Sequence, residues 1–300
     1  ARAKGGHGIK HGISADFITH TKGSLYKDLF CYIRPFPVAS WDNLRMLRVM
    51  SFNILCANCG EGVNAWEHRK SLVLERILAF TPDLLGLQEC RADGQAQYLI
   101  ENLPGYTFFG TPRGGEGTTA LEMAPLMVRE ERFDLLASSC FWLSERSDEP
   151  GSLSWGGQFP RTVSWARLRV KDNGQELLFV NTHFDLVPAS RWHSAELLRT
   201  WLCANIAGSS VILTGDFNAN KRSRVYETLT RGGLLADAWR QANPGSRNKA
   251  TFHGFGNPKA RSCIDWVLIS PGLQAVSASV DTFSQIGRYP SDHYPLRVEI

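Results

Sequence analysis

The chain has 300 residues, of which 43% are hydrophobic and 21% charged, and its formal net charge is +4. This composition is typical of a globular protein with a sizeable core, and no apolar run approaches the roughly 18 residues of a membrane span. Residues 1–30 contain no hydrophobic signal-peptide core. The first residue is Ala1, so we expect a processed or trimmed chain, and a signal removed earlier would leave no trace.

The net positive charge lies in residues 1–46, because residues 47–300 carry equal numbers of basic and acidic residues. We predict a basic N-terminal extension over residues 1–46, of unknown function, and one catalytic domain over residues 47–300. That domain has no overall positive field to attract a long polyanion. A local basic patch within it is still compatible with these counts. We expect a monomer.

The chain contains seven cysteines, and only Cys56 and Cys59 have a paired spacing. A zinc site would need a second pair or suitably spaced histidines, and none is obvious. This usage favours a reducing compartment, and we expect a cytoplasmic location.

The predicted elements alternate between strands and amphipathic helices. Trp66, Val73, Ile77 and Leu78 share one face of the first helix, and Trp192 points inward from the third. Helices are predicted over residues 64–80, 94–102, 190–207 and 223–229. Strands are predicted over residues 48–55, 84–87, 124–128, 133–143, 162–170, 176–180, 211–213, 262–269 and 294–300.

The strand at residues 211–213 is expected to stop before Gly215, which frees the backbone. Asp216 and Asn218 follow with one residue between them. If the chain is still extended there, both side chains point to the same side. The alternative is a loop in which Asp and Asn bond their own backbone.

Six predicted strand ends carry polar residues that suit metal binding or proton transfer. Four of these groups follow their strands and two precede theirs, so they can meet only in mixed or antiparallel sheets. We therefore predict an α/β (α+β) four-layer sandwich, with two packed mixed sheets flanked by helices. The residues are Asn53, Glu89, His183, Asp216 with Asn218, Asp265, and Asp292 with His293.

Three of these residues offer oxygen ligands. Asn53, Glu89 and Asp292 form a set that suits Mg²⁺ or Mn²⁺, not zinc. Taken singly, Asn53 could cap a turn and Glu89 a helix. To explain all six strand ends as ordinary structural residues would require six independent coincidences.

The remaining residues suit acid–base chemistry. His183 and His293 titrate near neutrality, and Asp265 would orient His293 and favour its charged form. Asp216 and Asn218 would position an attacking water. A metal ion, acid–base histidines and an oriented water together indicate metal-assisted hydrolysis of a phosphoester.

These stretches resemble the endonuclease/exonuclease/phosphatase superfamily related to DNase I. The resemblance covers residues 47–300 and implies the four-layer sandwich, a divalent metal and phosphoester cleavage. The matching motifs are Ser51-Phe52-Asn53-Ile54, Leu87-Gln88-Glu89, Asn181-Thr182-His183, Gly215-Asp216-Phe217-Asn218, Ile264-Asp265-Trp266 and Ser291-Asp292-His293-Tyr294-Pro295.

The resemblance also implies roles for individual residues. Arg161 is similar to an arginine near the phosphate in a bacterial-type branch of metal-dependent hydrolases. His183 stands where the abasic-endonuclease branch has a tyrosine, so the chain departs from that branch. The implied metal residues are Asn53, Glu89 and Asp292, the implied catalytic residues are His183, Asp216, Asn218, Asp265 and His293, and the implied substrate-binding residues are Arg161, Asn218 and His183.

Three functions are compatible with these observations. The first is a Mg²⁺- or Mn²⁺-dependent nuclease that cleaves phosphodiester bonds in nucleic acid, which the basic extension favours. The second is the same catalyst acting on a small phosphate ester, such as an inositol phosphate, a nucleotide or a phospholipid head group. The neutral catalytic domain favours this second reading. The third is an inactive scaffold that binds a phosphorylated partner, and the intact acid–base set argues against it.

Overall fold

Two six-stranded sheets and five α-helices make up most of the computed structural model, which describes residues 46–117, 119–206 and 208–300. The helices are α1 (Trp66–Phe80), α2 (Gly94–Asn102), α3 (Pro188–Asn205), α4 (Arg224–Thr230) and α5 (Ala238–Ala242). The strands are β1 (Arg48–Asn53), β2 (Leu84–Gln88), β3 (Cys90–Arg91), β4 (Tyr106–Phe109), β5 (Glu122–Met123), β6 (Leu126–Arg129), β7 (Phe133–Trp142), β8 (Thr162–Val170), β9 (Glu176–His183), β10 (Ser210–Asp216), β11 (Ala236–Asp237), β12 (Asp265–Ile269), β13 (Ser277–Val280) and β14 (Leu296–Glu299).

Both large sheets are mixed. The first has the order β13-β14-β1-β2-β6-β4, and the second has the order β11-β12-β10-β9-β8-β7. Strands β1 and β2 run parallel, as do β9 and β10, whereas β14 and β12 run antiparallel to β1 and β10. The C-terminal ends of β1, β2, β9 and β10 therefore lie beside the N-terminal ends of β12 and β14. This is the arrangement predicted from the polar residues at the strand ends.

The sheets pack face to face, with helices on the outer faces. Val49 and Leu126 of the first sheet share one apolar cluster with Phe179 and Ile212 of the second. A second cluster joins α1 and α2 to the first sheet, and a third joins α3 and α4 to the second sheet. The structure thus confirms the predicted four-layer α/β sandwich.

A buried amide joins the two sheets just below the strand ends. Asn181 of β9 donates to the carbonyl oxygens of Leu87 (2.6 Å) and Pro125 (3.0 Å), and it accepts a hydrogen bond from Gln88 (2.7 Å). A Cβ atom on Gly86 would lie 2.1 Å from Oγ1 of Thr214, so only glycine permits this close approach. The relative position of the sheets is fixed by polar as well as apolar contacts.

Three local expectations were wrong. Leu78 is 49% exposed because the buried face of α1 carries Arg69 and Leu72 beside Val73, which turns Leu78 to the solvent side. Trp192 is only half-buried. Strand β10 also runs on through Gly215, whose role is close packing, since a Cβ there would lie 2.6 Å from the carbonyl oxygen of Thr182.

The predicted N-terminal extension, residues 1–46, lies outside the described residues except for Met46, and the boundary at residue 47 stays a prediction. In the part of the chain that the structure describes, no helix combines the length and the apolar character that crossing a bilayer requires.

Candidate active site

The predicted site residues converge on one cleft at the strand ends. The cleft has a volume of about 390 Å³. Asn53 and Asp265 lie directly behind its wall, hydrogen-bonded to residues that line it. The predicted residues that line it are Glu89, Arg161, His183, Asp216, Asn218, Asp292 and His293.

Asn53 links two of the carboxylates. Its Nδ2 lies 3.0 Å from Oε1 of Glu89 and 3.0 Å from Oδ2 of Asp216, while its Oδ1 accepts a hydrogen bond from the backbone of Leu55. In this orientation Asn53 holds the carboxylates through its nitrogen. A half-turn of the amide would exchange the two atoms, and metal ligation by Asn53 requires that orientation.

The carboxylates suit a divalent cation. Neither Glu89 nor Asp292 forms an ion pair with any other described residue, although both line the cleft. Glu89 has a left-handed backbone, with φ of 58°, a strained conformation for a non-glycine residue that recurs at active sites. Behind them, Oδ1 of Asp265 is buried and has no hydrogen-bond partner among the described residues. Hard oxygen donors with access to water fit Mg²⁺ or Mn²⁺.

A second group of possible metal ligands lies deeper in the site. Single ligand atoms of Asp216, Asp265 and His293 lie within 4.8 Å of one another, and all three residues are buried. However, Nδ1 of His293 already bonds Oδ2 of Asp265 (2.9 Å), and its Nε2 lies 3.7 Å from Oδ2 of Asp216. Burial alone would lower the pKa of His293, but the carboxylates of Asp265 and Asp216 hold it well above its usual value. This arrangement favours a charged imidazolium between two carboxylates.

His183 has the opposite protonation state. Burial, together with the nearby guanidinium groups of Arg161 and Arg113, lowers the pKa of His183 well below its usual value. Its Nε2 lies 3.1 Å from Nδ2 of Asn218, which also donates to the carbonyl oxygen of Phe184. Because an amide nitrogen only donates, Nε2 of His183 accepts and the ring is neutral. The surroundings therefore favour a neutral ring at His183 and a charged ring at His293.

The sequence Asp216-Phe217-Asn218 turns instead of continuing as a strand. Asn218 has a φ of 48°, and its backbone N–H donates to Oδ1 of Asp216 (2.9 Å). The extended geometry considered from the sequence is thus wrong, and the local Asp–Asn turn brings both side chains to the cleft. Burial, followed by the nearby Asp265, raises the pKa of Asp216.

Arg161 presents an unpaired positive charge to the cleft. The residue is only 6% exposed, and its side chain has no carboxylate or hydrogen-bond partner among the described residues. Burial lowers its pKa, but a guanidinium group keeps its charge in proteins. A buried cation without a partner is costly, so this geometry favours binding of an anion.

Four further residues lie around Arg161 for which the sequence predicted no role. Arg113 and Glu122 line the cleft and form an ion pair of 3.1 Å, and Phe159 lies against the guanidinium groups of Arg113 and Arg161. Asp185 is fully buried and accepts hydrogen bonds from the backbone of residues 158 and 159. Asp185 is two residues after His183 in the sequence, and this proximity could have identified it as a residue of the site.

Cys56 and Cys59 form a disulfide at the edge of the cleft, a pairing that the sequence analysis did not predict. Disulfides are typical of oxidising compartments or of redox-active sites. The cytoplasmic location therefore stays a prediction.

The chain is similar to proteins of known families. The model of the "Endonuclease/Exonuclease/phosphatase family" matches residues 50–293. Nocturnin of Mus musculus is 28% identical over 310 residues, which cover 93% of this chain and 69% of that protein. The "CCR4-Not complex 3'-5'-exoribonuclease subunit Ccr4" of Debaryomyces hansenii is 22% identical over 322 residues, covering 83% of this chain and 38% of that protein.

Solved structures give the same result. An endonuclease/exonuclease/phosphatase from Bacteroides vulgatus is 31% identical with a TM-score of 0.78, covering 85% of this chain and 98% of that chain. The mannosyl-6-phosphatase Bt3783 of Bacteroides thetaiotaomicron is 29% identical with a TM-score of 0.73, covering 85% of this chain and 99% of that chain.

Proposed function

The chain belongs to the endonuclease/exonuclease/phosphatase family, and from this premise we propose that it hydrolyses phosphoric esters with the help of Mg²⁺ or Mn²⁺. One observation carries the proposal. Unpaired carboxylates, a buried unpaired guanidinium, a neutral histidine and a charged histidine all face a single cleft. Such a site is equipped to hold a cation and a phosphate side by side.

Each side chain has a proposed task. Glu89 and Asp292, with the oxygen of Asn53, would hold the metal ion, which when bound supplies positive charge to the phosphate oxygens. Arg161, which lines the same cleft, binds a non-bridging phosphate oxygen. Its burial means that the hydrogen bond to phosphate forms in a region of low dielectric constant, where it is strong.

The remaining residues handle water and protons. Asp216 and Asn218 orient the attacking water. Nε2 of the neutral His183 ring lies 3.6 Å from Oδ2 of Asp216 and can accept a proton. The charged ring of His293, held by Asp265, can donate a proton to the leaving oxygen. The two histidines thus occupy the base and acid roles without any change in their resting protonation.

A local basic segment supports nucleic acid as the substrate. Residues 241–264 contain no Asp or Glu, and their four cations are exposed. Phe252 of this segment lines the cleft and its ring packs 5.0 Å from that of His293. A cationic segment with an aromatic side chain beside the site suits a phosphate backbone and a base. The relative Ccr4 is named as an exoribonuclease. The cations are Arg247, Lys249, Lys259 and Arg261.

A small phosphate ester is the second candidate. The cleft has a volume of about 390 Å³, the size of a small-molecule pocket, and both Arg113 and Arg161 line it. Residues 47–300 have no net charge, and one similar structure is named as a mannosyl-6-phosphatase.

A substrate panel separates these candidates. The full chain is incubated with plasmid DNA, single-stranded DNA, RNA and a set of sugar, inositol and nucleotide phosphates, each with Mg²⁺, Mn²⁺ or EDTA. Metal-dependent shortening or nicking of a polynucleotide supports the first candidate. Release of orthophosphate from small esters without nicking supports the second. A folded, Mg²⁺-binding protein that turns over nothing would contradict the proposed activity and favour a binding scaffold.

A further inference from the structure

The Cys56–Cys59 disulfide lies at the edge of the cleft, within reach of solvent. Cys56 is buried three positions after the last residue of β1, whereas Cys59 is exposed and lines the cleft with Glu89 and Glu122. The two cysteines are three positions apart, so the bond constrains the unfolded chain less than a long-range disulfide would. The position of the disulfide beside a cleft suits a role other than stabilising the fold.

The carboxylate of Glu122 lies close to both sulfur atoms. One ligand atom each of Cys56, Cys59 and Glu122 lie within 4.8 Å of one another. Tetrahedral zinc, with bonds of about 2.3 Å to sulfur and about 2.1 Å to oxygen, places its ligand atoms roughly 3.5–4 Å apart. Small side-chain movements would therefore bring the three atoms onto one cation.

The support for Glu122 is rigid, and the proposed hydrolysis does not use it. Strand β5 holds its backbone by pairing with β3, and Arg113 holds its carboxylate at 3.1 Å. Two cysteine sulfurs held beside a fixed carboxylate match the soft and borderline ligand set of zinc, and not the all-oxygen set proposed for the magnesium site.

We propose that the Cys56–Cys59 disulfide is reducible in the folded protein, and that the resulting dithiol, together with Glu122, binds a thiophilic divalent cation of the zinc class. A dithiol reductant supplies two electrons and two protons, so the S–S bond breaks, two S–H groups form and the reductant becomes a disulfide. Binding of the cation then releases the two thiol protons to solvent. This inference does not depend on the proposed hydrolysis.

The test uses cadmium as the probe, because cadmium bound to thiolate gives an ultraviolet charge-transfer band that an oxygen or histidine site does not give. The full chain is titrated with Cd²⁺ in saturating Mg²⁺, once oxidised and once after reduction with a dithiol and removal of the reductant. We expect one equivalent of Cd²⁺ and the band in the reduced protein only. The oxidised protein keeps its other thiols and is the internal control.

Matched variants identify the ligands. Cys59→Ser should abolish the band, whereas Cys140→Ser, the same change at a free cysteine outside the cluster, should retain it. Glu122→Gln should keep the band and weaken Cd²⁺ binding roughly tenfold or more.

Three results would overturn the inference. The first is the absence of the charge-transfer band in reduced protein, when alkylation of a parallel sample shows that Cys56 and Cys59 are both free thiols. The second is an equal band in Cys59→Ser. The third is a disulfide that resists the dithiol under native conditions. The first and third need no substitution, so they decide the question even if a variant does not fold.

Discussion

Oδ2 of Asp265 lies 2.9 Å from Nδ1 of His293, and their side chains are only 1% and 6% exposed. The two residues come from the start of β12 and the segment before β14, so the pair forms only when both sheets are in place. The carboxylate fixes the ring orientation and stabilises its charged form, which leaves Nε2 free to face Asp216 and the cleft.

The first prediction concerns the pH dependence of turnover. If catalysis requires charged His293, activity is present below its raised pKa and is lost as the pH rises through it. Asp265→Asn removes the nearest negative charge and lowers that pKa, so the alkaline limb of the rate profile should move to lower pH by roughly one to three units. The pH profile of kcat/KM checks this. An unmoved alkaline limb would assign it to another group.

The second prediction concerns His293 itself. His293→Ala should lower kcat by roughly 10²–10⁴-fold, because a positioned proton donor contributes about that much, while Mg²⁺ binding is retained. Calorimetry with Mg²⁺ and single-turnover rates separate the two effects. The control is His68→Ala at an exposed position of α1, which should change neither. Loss of Mg²⁺ affinity in His293→Ala would place the ion in the deeper group with Asp216 and Asp265.

The third prediction concerns the metal ligands. Glu89→Gln keeps the shape of the side chain but removes its charge, so Mn²⁺ affinity should fall roughly tenfold or more. Electron paramagnetic resonance of free Mn²⁺ measures the affinity directly. Glu101→Gln, the same change on the exposed side of α2, is the matched control. Equal affinities for the two variants would exclude Glu89 as a ligand.

The fourth prediction separates stability from function at Arg161. Arg161→Met replaces a buried, unpaired cation with an apolar side chain of similar length, so the melting temperature should stay the same or rise. The same change should raise KM roughly tenfold to a hundredfold, since a charge-assisted hydrogen bond to phosphate is lost. A variant that is destabilised but has an unchanged KM would show a purely structural arginine.

The fifth prediction concerns the amide between the sheets. Asn181→Ala removes one hydrogen-bond partner each from the side chain of Gln88 and from the carbonyl oxygens of Leu87 and Pro125. The oxygen of Pro125 keeps the N–H of Leu87, and the amide of Gln88 keeps two weaker contacts. Unfolding free energy should fall by about 3 kcal/mol, because buried polar groups that lose a partner cost about 1–3 kcal/mol each. Urea denaturation measures the change, with exposed Asn248→Ala as the control. A loss no larger than that of the control would mean that this amide does not hold the sheets together.

The fold could be predicted from the sequence because the polar residues are placed by strand direction. Asn53 ends its strand and Glu89 follows its own, whereas Asp265 begins its strand and His293 precedes its own. Only mixed sheets bring such ends together. Helix α2 matched its predicted bounds because Pro104 and Gly105 end the pattern clearly. The roles of the individual site residues rest on their geometry and stay proposals.

Other features had no local signal. The partner of Glu122 is Arg113, which a glycine-rich loop carries, and loops of that kind have no period to interpret. Gly215 could be interpreted as a strand breaker because the sequence does not show that Thr182 lies against it. Each of these depends on a contact between segments far apart in the chain.

The cross-sheet amide has a consequence for how this architecture can diversify. The reactive side chains stand on strand ends that Asn181 and Gly86 hold in fixed register. The connecting residues 145–157 and 244–249 carry none of the proposed site residues, so their length and content can change independently of the site. Evolution can therefore change the connecting segments to admit a different substrate while the catalytic residues on the strand ends stay in place. Grafting one of these connecting segments from a relative should transfer preference while leaving the catalytic step intact.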